Sequence, residues 1–321
     1  MKTVLVTGGA GYIGSHTVKM LTENGYRVVV VDNLSNGHAE AVKNVPLKRV
    51  DLRDAAALKA VFDETPFDAV VHFAALSLVG QSVTEPDAYY DNNVVGTLRL
   101  LDQMRAHGVE KIVFSGSCAV YGVPERLPLT EDHPRRPVSP YGVTKMMAEE
   151  IFKDYARAYG LSYTVLRYFN AAGADESGMI GESHAPETHL IPLVLQTIMG
   201  KRPSLTVFGD DYDTPDGTCV RDYVHVNDLA RAHVAALENC FSGCLNLGTG
   251  TGFSVKQIVS ACETATGKKC PVVIGEKRAG DPPALYADAT RAKRILNWVP
   301  RQSALENLID TAWRWEQHRT F

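Results

Sequence analysis

Apolar and polar positions at the start of the chain follow two different periods. Residues 2–7 (KTVLVT) form a short β-branched run stopped by Gly8-Gly9, the pattern of a strand buried on both faces. Ile13, Val18 and Leu21 then recur at helical spacing as far as Asn24-Gly25, a glycine stop signal. Residues 28–31 predict a second strand, with Asp32 at its end. Further strands are predicted over 48–50, followed by Asp51-Leu52; over 68–72, running into Phe73-Ala74-Ala75; and over 111–115. The amphipathic stretch 97–107 (TLRLLDQMRAH) predicts a helix between the last two. Alternating strands and helices imply an α/β fold, a Rossmann-type doubly wound parallel sheet. Ligands of such sheets sit at the carboxyl ends of the strands, where Gly8, Asp32, Phe73 and Ser117 are all expected.

Gly8, Gly11 and Gly14 give a G-x-x-G-x-x-G spacing between the first strand and its helix. Residues without Cβ let the backbone turn tightly and approach a pyrophosphate, which then rests on the positive helix N-terminus. Asp32 follows Gly14 at about the twenty-residue spacing of a dinucleotide fingerprint. Its carboxylate can accept hydrogen bonds from ribose hydroxyls and would repel a 2′-phosphate. Asn33-Leu34-Ser35-Asn36 offer no arginine to accommodate one, so NAD is expected rather than NADP.

Ser139-Pro140-Tyr141 opens another helix, since serine is a good N-cap and proline suits the first helical position. Tyr141 and Lys145 stand four apart and share a face. A nearby ammonium, the helix N-terminus and an oxidised nicotinamide all favour the phenolate over the phenol. Tyr141 is therefore expected to act as a general base, its pKa lowered by Lys145.

Composition adds exclusions. The 321 residues include 33 basic and 37 acidic side chains, a net charge of −4, which argues against a nucleic-acid partner. No apolar stretch reaches the roughly 20 residues that span a bilayer. MKTVLV runs straight into glycines without a signal-peptide core, so a cytoplasmic, non-membrane protein is expected. The six cysteines read as buried free thiols; Cys240 and Cys244 have no second pair at zinc spacing.

TGGAGYIGSH, DNL, HFAAL, YYDNNVVGTLRLL, SGSCAVYG, SPYGVTK, LRYFNAAGA, GTCVRDYVHVNDLA and RAGDPP together resemble the extended short-chain dehydrogenase/reductase family, and within it the UDP-glucose 4-epimerase branch. The resemblance runs nearly end to end. It implies a seven-stranded NAD-binding lobe over 1–169, to which about 222–249 returns, and a smaller UDP-sugar lobe over 170–321. It makes Ser117, Tyr141 and Lys145 the catalytic set. Cofactor contacts fall on Tyr12, Ile13, Asp32, Asn33, Leu34, Ser35, Asn36, Asp51, Leu52, Phe73, Ala74, Ala75, Leu76, Asn92, Ser115 and Phe169. Substrate contacts fall on Asn170, His189, Leu190, Arg221, Arg278, Asp281 and Leu285, besides Ser117 and Tyr141. The implied reaction interconverts UDP-glucose and UDP-galactose through a 4-keto sugar, in an enzyme that commonly dimerises through helices, here 97–107 and the Tyr141 helix. A 4-epimerase of UDP-N-acetylglucosamine or UDP-glucuronate, or a regulatory NAD-binding protein, are the alternatives.

Departures from the family pattern refine this. Relatives that dehydrate nucleotide sugars carry Asp-Glu where this chain has Cys118-Ala119, so dehydration is disfavoured. Gly116, Ala119, Ser77 and His189 replace a usual serine, threonine, lysine and asparagine. Leu285, intermediate in bulk, predicts UDP-glucose and UDP-galactose first and weak N-acetylhexosamine turnover.

Residues 171–192 read as loop. Within them Glu182, His184, Glu187 and His189 fit no helical pair of ligands, so a polar loop without metal is expected. Asp210, Asp211, Asp213 and Asp216 imitate a calcium loop, but Pro215 and Asp216 occupy places needing a ligand and then a glycine. Arg221 suits a diphosphate through its planar fork, or else pairs with Asp222 or Asp228. Residues 224–240 predict a helix, 244–247 a strand, and 311–318 a terminal helix with Trp313 and Trp315 packed locally.

Overall fold

The β-branched runs of the first half become parallel strands joined by helices. A computed structural model describes residues 1–278 and 280–321. The chain opens with β1 (Thr3–Thr7), α1 (Tyr12–Glu23), β2 (Arg27–Asp32), β3 (Leu47–Arg49), α2 (Ala55–Glu64) and β4 (Ala69–His72). Two short helices, α3 (Val79–Thr84) and α4 (Pro86–Tyr89), lead through a π-helical turn, Tyr90–Val95, into α5 (Gly96–Ala106). Then come β5 (Lys111–Ser117), α6 (Pro140–Tyr159) and β6 (Ser162–Tyr168).

The rest comprises β7 (Asn170–Ala172), α7 (Leu190–Ile198), β8 (Leu205–Phe208), β9 (Val220–Arg221), β10 (Tyr223–His225), α8 (Val226–Glu238) and β11 (Gly243–Leu247). It continues with β12 (Phe253–Ser254), α9 (Val255–Thr266), β13 (Val272–Gly275), β14 (Ala284–Leu285), α10 (Thr290–Leu296) and α11 (Leu305–His318).

Seven parallel strands form the main sheet in the order β11-β6-β5-β4-β1-β2-β3. Strand periodicity sorts β1 between two cores. Val4 and Val6 pack with Val18 and Leu21 of α1 and Leu229 of α8, while Leu5 packs on the opposite face with Leu58, Leu100 and Phe152. A third core gathers Val194 and Leu195 of α7, Ile258 of α9 and Leu308 of α11. β11 joins the sheet from late in the chain, so the two halves interleave.

Several boundaries differ from expectation. The helix expected over 224–240 starts at Val226, because Tyr223–His225 pairs with β7 and the His225 ring then accepts the Asn227 N–H at 3.1 Å. β7 itself occupies the start of the expected loop. β5 runs to Ser117 because Ser115, Gly116 and Ser117 stay in register with Leu166, Arg167 and Tyr168. The last helix begins at Leu305, earlier than its charged surface pattern suggests. All six cysteines are free thiols, but only Cys219, Cys262 and Cys270 are buried; Cys118 and Cys244 are half-buried and Cys240 is exposed. Among the described residues no helix is long and apolar enough to cross a membrane.

Candidate active site

The carboxyl ends of the central strands converge on one edge. Gly8 follows β1 in the left-handed region (φ +70°), and a Cβ there would stand 2.4 Å from the Ala74 amide nitrogen. Its bareness lets the first loop touch the segment after β4. At Gly14 a Cβ would lie 2.2 Å from the Gly8 carbonyl oxygen, so this glycine brings α1 against the loop. Gly11 differs: it is the N-cap of α1, makes no side-chain cap, and a Cβ would meet only the Gly8 oxygen at 3.4 Å. The amides of the first turn, at Tyr12 and Ile13, thus face a cradle open to an anion. The Tyr12 hydroxyl donates to the Gly173 carbonyl, tying this corner to the chain beyond β7.

Asp32 closes β2 and is buried, which raises its pKa; the amides of Ala10 and Leu34 donate to its two oxygens at 2.9 and 2.8 Å. Leu34 is held in the left-handed region (φ 61°), unusual for a branched side chain. Ser35 donates its amide to Asn33, Asn33 donates to Asp51 at 3.0 Å, and Asn36 is exposed. Arg53 forks onto Asp51 and also reaches Asp91, which holds the Asp51 carboxyl far below its usual range. The tertiary structure therefore brings an arginine near the ribose end, but its guanidinium is already held between two carboxylates. An uncapped glycine-lined helix start beside a buried strand-end carboxylate fits a dinucleotide without a 2′-phosphate.

Leu52 is buried, and Phe73 tilts against His233 at 4.6 Å. Ala75 and Leu76 continue this edge. The Leu76 amide donates to Asn93 Oδ1 at 2.8 Å, and Asn93 Nδ2 donates back to the Leu76 carbonyl and to Thr144 Oγ1. Asn92 donates to Asn93. Asn93, which sequence reasoning missed, clamps the Leu76 loop to α6; the adjacent Asn92-Asn93 pair gives no local sign of which one points inward.

The α6 helix starts at Pro140, with Ser139 accepting the Gly142 amide, and projects Tyr141 and Lys145 toward the end of β5. The Lys145 ammonium donates to the Ser115 carbonyl at 2.8 Å and lies 4.6 Å from the Phe114 ring centre and 5.8 Å from that of Tyr141. Ser115 Oγ also hydrogen-bonds the Tyr168 hydroxyl. Ser117 accepts the Ala119 amide, and its hydroxyl beside Tyr141 favours the phenolate. Burial nevertheless pushes the Tyr141 phenol up to about 12 and the Lys145 ammonium down to about 7. The expected lowering of the phenol by Lys145 is absent, because burial raises the phenol and the lysine has itself lost its proton in the range where the phenol would ionise. Burial also pushes the Cys118 thiol up to about 12, so it exchanges no proton near neutral pH.

Glu149, one turn beyond Lys145, was also missed, although its i+4 spacing was legible. It takes Arg167 of β6 through two hydrogen bonds at 2.8 and 2.6 Å, and Arg135 at 2.9 Å. This buried pair fastens the helix that carries Tyr141 and Lys145 to the sheet.

Beyond β6, Phe169 packs with Val120, Tyr121 and Leu129, and half-buried Leu285 and Cys118 pack against the same cluster. Leu285 pairs with Arg221 across β14 and β9, and the Asn170 amide donates to the Asp222 carbonyl. Arg221 pairs with Asp281, not with Asp222 or Asp228. Asp222 instead receives Thr249 and the Ala287 amide, while Asp228 holds Arg231 and the Arg301 and Gln302 amides. Arg278 is exposed, its guanidinium 3.9 Å from the Phe208 ring centre, and the Asp281 amide donates to its carbonyl. Leu190 opens α7. His189, at its N-cap, turns its imidazole toward Glu182 and Glu187.

Comparison with known proteins places this geometry. Residues 4–248 match the NAD dependent epimerase/dehydratase family. The chain is 51% identical to a UDP-glucose 4-epimerase of Halalkalibacterium halodurans, over 98% of this chain and 95% of that one. It superposes with a TM-score of 0.95 on the UDP-glucose 4-epimerase from Brucella ovis in complex with NAD, 50% identical with 98% of each chain covered. The Bifidobacterium longum UDP-glucose 4-epimerase in complex with NAD+ and UDP gives the same TM-score at 42% identity, with 99% of each chain covered. With its fingerprint glycines, strand-end acid and Tyr141–Lys145 helix in matching order, the chain belongs to the NAD dependent epimerase/dehydratase family.

Proposed function

We propose that the chain interconverts UDP-galactose and UDP-glucose by inverting carbon 4 of the sugar, with NAD retained throughout. The observation that carries this reading is the meeting of Ser117, Tyr141 and Lys145 on the sheet edge that also holds the open α1 start and Asp32. Gly8, Gly11 and Gly14 admit the pyrophosphate, Asp32 takes the ribose hydroxyls, and Lys145 holds the nicotinamide ribose. Bound NAD supplies the two-electron acceptor and donor for carbon 4.

Tyr141 receives the proton of the 4-hydroxyl and later returns it, with Ser117 hydrogen-bonded between hydroxyl and phenol as the relay. Burial keeps the phenol protonated in the unloaded chain, so its activation depends on positive charge brought beside it on loading. Asn170, His189, Leu190, Arg221, Arg278 and Asp281 hold the UDP portion, leaving the sugar free to turn over its other face. Leu285 limits the space beside the sugar, which favours glucose and galactose over N-acetylated sugars.

We read the molecule as an NAD lobe over 1–169 with 222–249 returning, and a UDP-sugar lobe over 170–321. A cytoplasmic homodimer follows the family pattern; exposed Tyr90 and Val95 beside α5 and Met147 on α6 support that contact face. The deciding experiment incubates the purified protein with UDP-galactose and no added NAD. UDP-glucose is expected to appear, and its absence even with NAD supplied defeats the reading. Tyr141→Phe is expected to lower turnover by about a hundredfold or more while the fold and bound NAD persist. Full activity in that variant would show the base to be another group.

A further inference from the structure

Four side chains of the loop before α7 meet at one point, and of these only His189 is also placed beside the UDP portion in the proposed reaction. Glu182, His184, Glu187 and His189 each offer one donor atom, and these atoms all lie within 4.8 Å of one another. His184 Nδ1 stands 3.3 Å from Glu182 Oε1 and 3.5 Å from Glu187 Oε2. His189 Nδ1 stands 2.7 Å from Glu182 Oε1 and 3.3 Å from Glu187 Oε1. Only 6% of the Glu182 side chain and 4% of the Glu187 side chain are exposed.

The orientation of these groups is informative. Glu182 Oε1, Glu187 Oε2 and His184 Nδ1 are buried and make no hydrogen bond, although each has an opposite partner close by. An ion-paired knot would aim ring N–H groups at carboxylate oxygens and satisfy them, since buried polar atoms are costly when unmet. Here the remaining capacity of Glu187 is already spent outside the cluster, where Oε1 accepts the Thr188 and His189 amides at 2.7 and 2.8 Å. Those bonds fix Glu187 with its other oxygen facing inward. A four-coordinate Zn²⁺ with ligands at about 2.0–2.1 Å keeps its donor atoms about 3.3–3.4 Å apart. The separations of His184 Nδ1 from the inward-facing Glu182 Oε1 and Glu187 Oε2 both fall within 0.2 Å of that spacing.

We infer that Glu182, His184, Glu187 and His189 form a binding site for a divalent cation of the zinc type. Two imidazoles and two carboxylates suit borderline metals better than calcium or magnesium, which take oxygen ligands alone. All four ligands come from one short segment, so the ion clips a loop rather than bridging distant elements. The clip has a fixed backing: the Trp315 indole donates to the Glu182 carbonyl at 2.7 Å, and His184 packs edge-on to Tyr12 at the start of α1. Occupancy therefore orders the segment leading into α7 against the dinucleotide corner. Its role is structural.

The test uses the full chain, stripped with a chelator and then incubated with Zn²⁺ or Co²⁺ alone. One tightly held Zn²⁺ per chain after gel filtration, a raised unfolding temperature, and the intense visible bands of four-coordinate Co²⁺ are expected. Glu182→Gln and His184→Gln should each weaken binding at least about tenfold while their circular dichroism stays that of the parent. No retained Zn²⁺ and no Co²⁺ bands in the parent chain would overturn the inference, as would undiminished binding in both variants. If a variant misfolds, the Co²⁺ spectrum of the parent decides.

Discussion

At the scale of single residues, function and stability pull against each other on α6. Burial lowers the Lys145 ammonium from 10.5 to about 7, although it keeps a carbonyl and an aromatic ring as neighbours. Between those values the unfolded chain holds a proton that the folded chain has shed, so stability rises with pH across the window. Below about 7 both states are charged and the penalty is at its largest. Lys145→Met in the unliganded chain is therefore expected to raise stability in denaturant melts below pH 7, with the gain fading as pH nears 10.5. A gain that grows with pH would contradict this account. Gly116 offers a second case. A Cβ there would stand 2.7 Å from Val165 Cγ1 and 2.8 Å from the Leu166 carbonyl oxygen, so β5 and β6 close without room for a side chain. The serine found at this place in the family pattern does not fit here, and Gly116→Ser should cost about 1–3 kcal/mol by overpacking, measured by urea unfolding.

Elements are positioned by buried polar fasteners more than by helix propensity. The α6 helix carries both the tyrosine and the lysine, and the Arg167–Glu149 pair, with both side chains almost wholly buried, anchors it to β6. Removing one partner leaves an uncompensated charge in the interior, which costs about 3–5 kcal/mol. Glu149→Gln is expected to lose stability on that scale, and Glu149→Gln with Arg167→Met should lose less than the sum of the two single changes. Additive losses would mean the pair does not act as a unit. The Asn93 clamp does the same for the loop after β4, joining Leu76 to Thr144 beside Lys145. Both fasteners converge on the helix that aims the reactive groups.

For the whole molecule, sheet order decides which residues meet. Asp32 ends β2 and Gly8 follows β1, adjacent strands, so the acid stands beside the first glycine loop. Asp32→Ser is expected to lower the preference for NAD over NADP at least about tenfold, read as the ratio of dissociation constants. An unchanged ratio would place selectivity elsewhere, with Arg53 the first candidate. The alternating strands, the glycine fingerprint, Asp32 and the Ser139-capped helix were all legible in the sequence, because each rests on local period, spacing or capping. Local signals fail where partners lie far apart along the chain. No pattern local to these residues shows that Tyr223–His225 will pair with β7, that Arg221 will choose Asp281 over its nearer acids, or that Asn93 rather than Asn92 turns inward. Spacing along a loop likewise hid the meeting of Glu182, His184, Glu187 and His189, since a loop has no fixed period to bring side chains together. The sequence by itself determined the alternating fold and which residue types stand at the strand ends. Only the tertiary structure decided their charge states and long-range partners, because desolvation and pairing depend on packing that the chain completes as a whole.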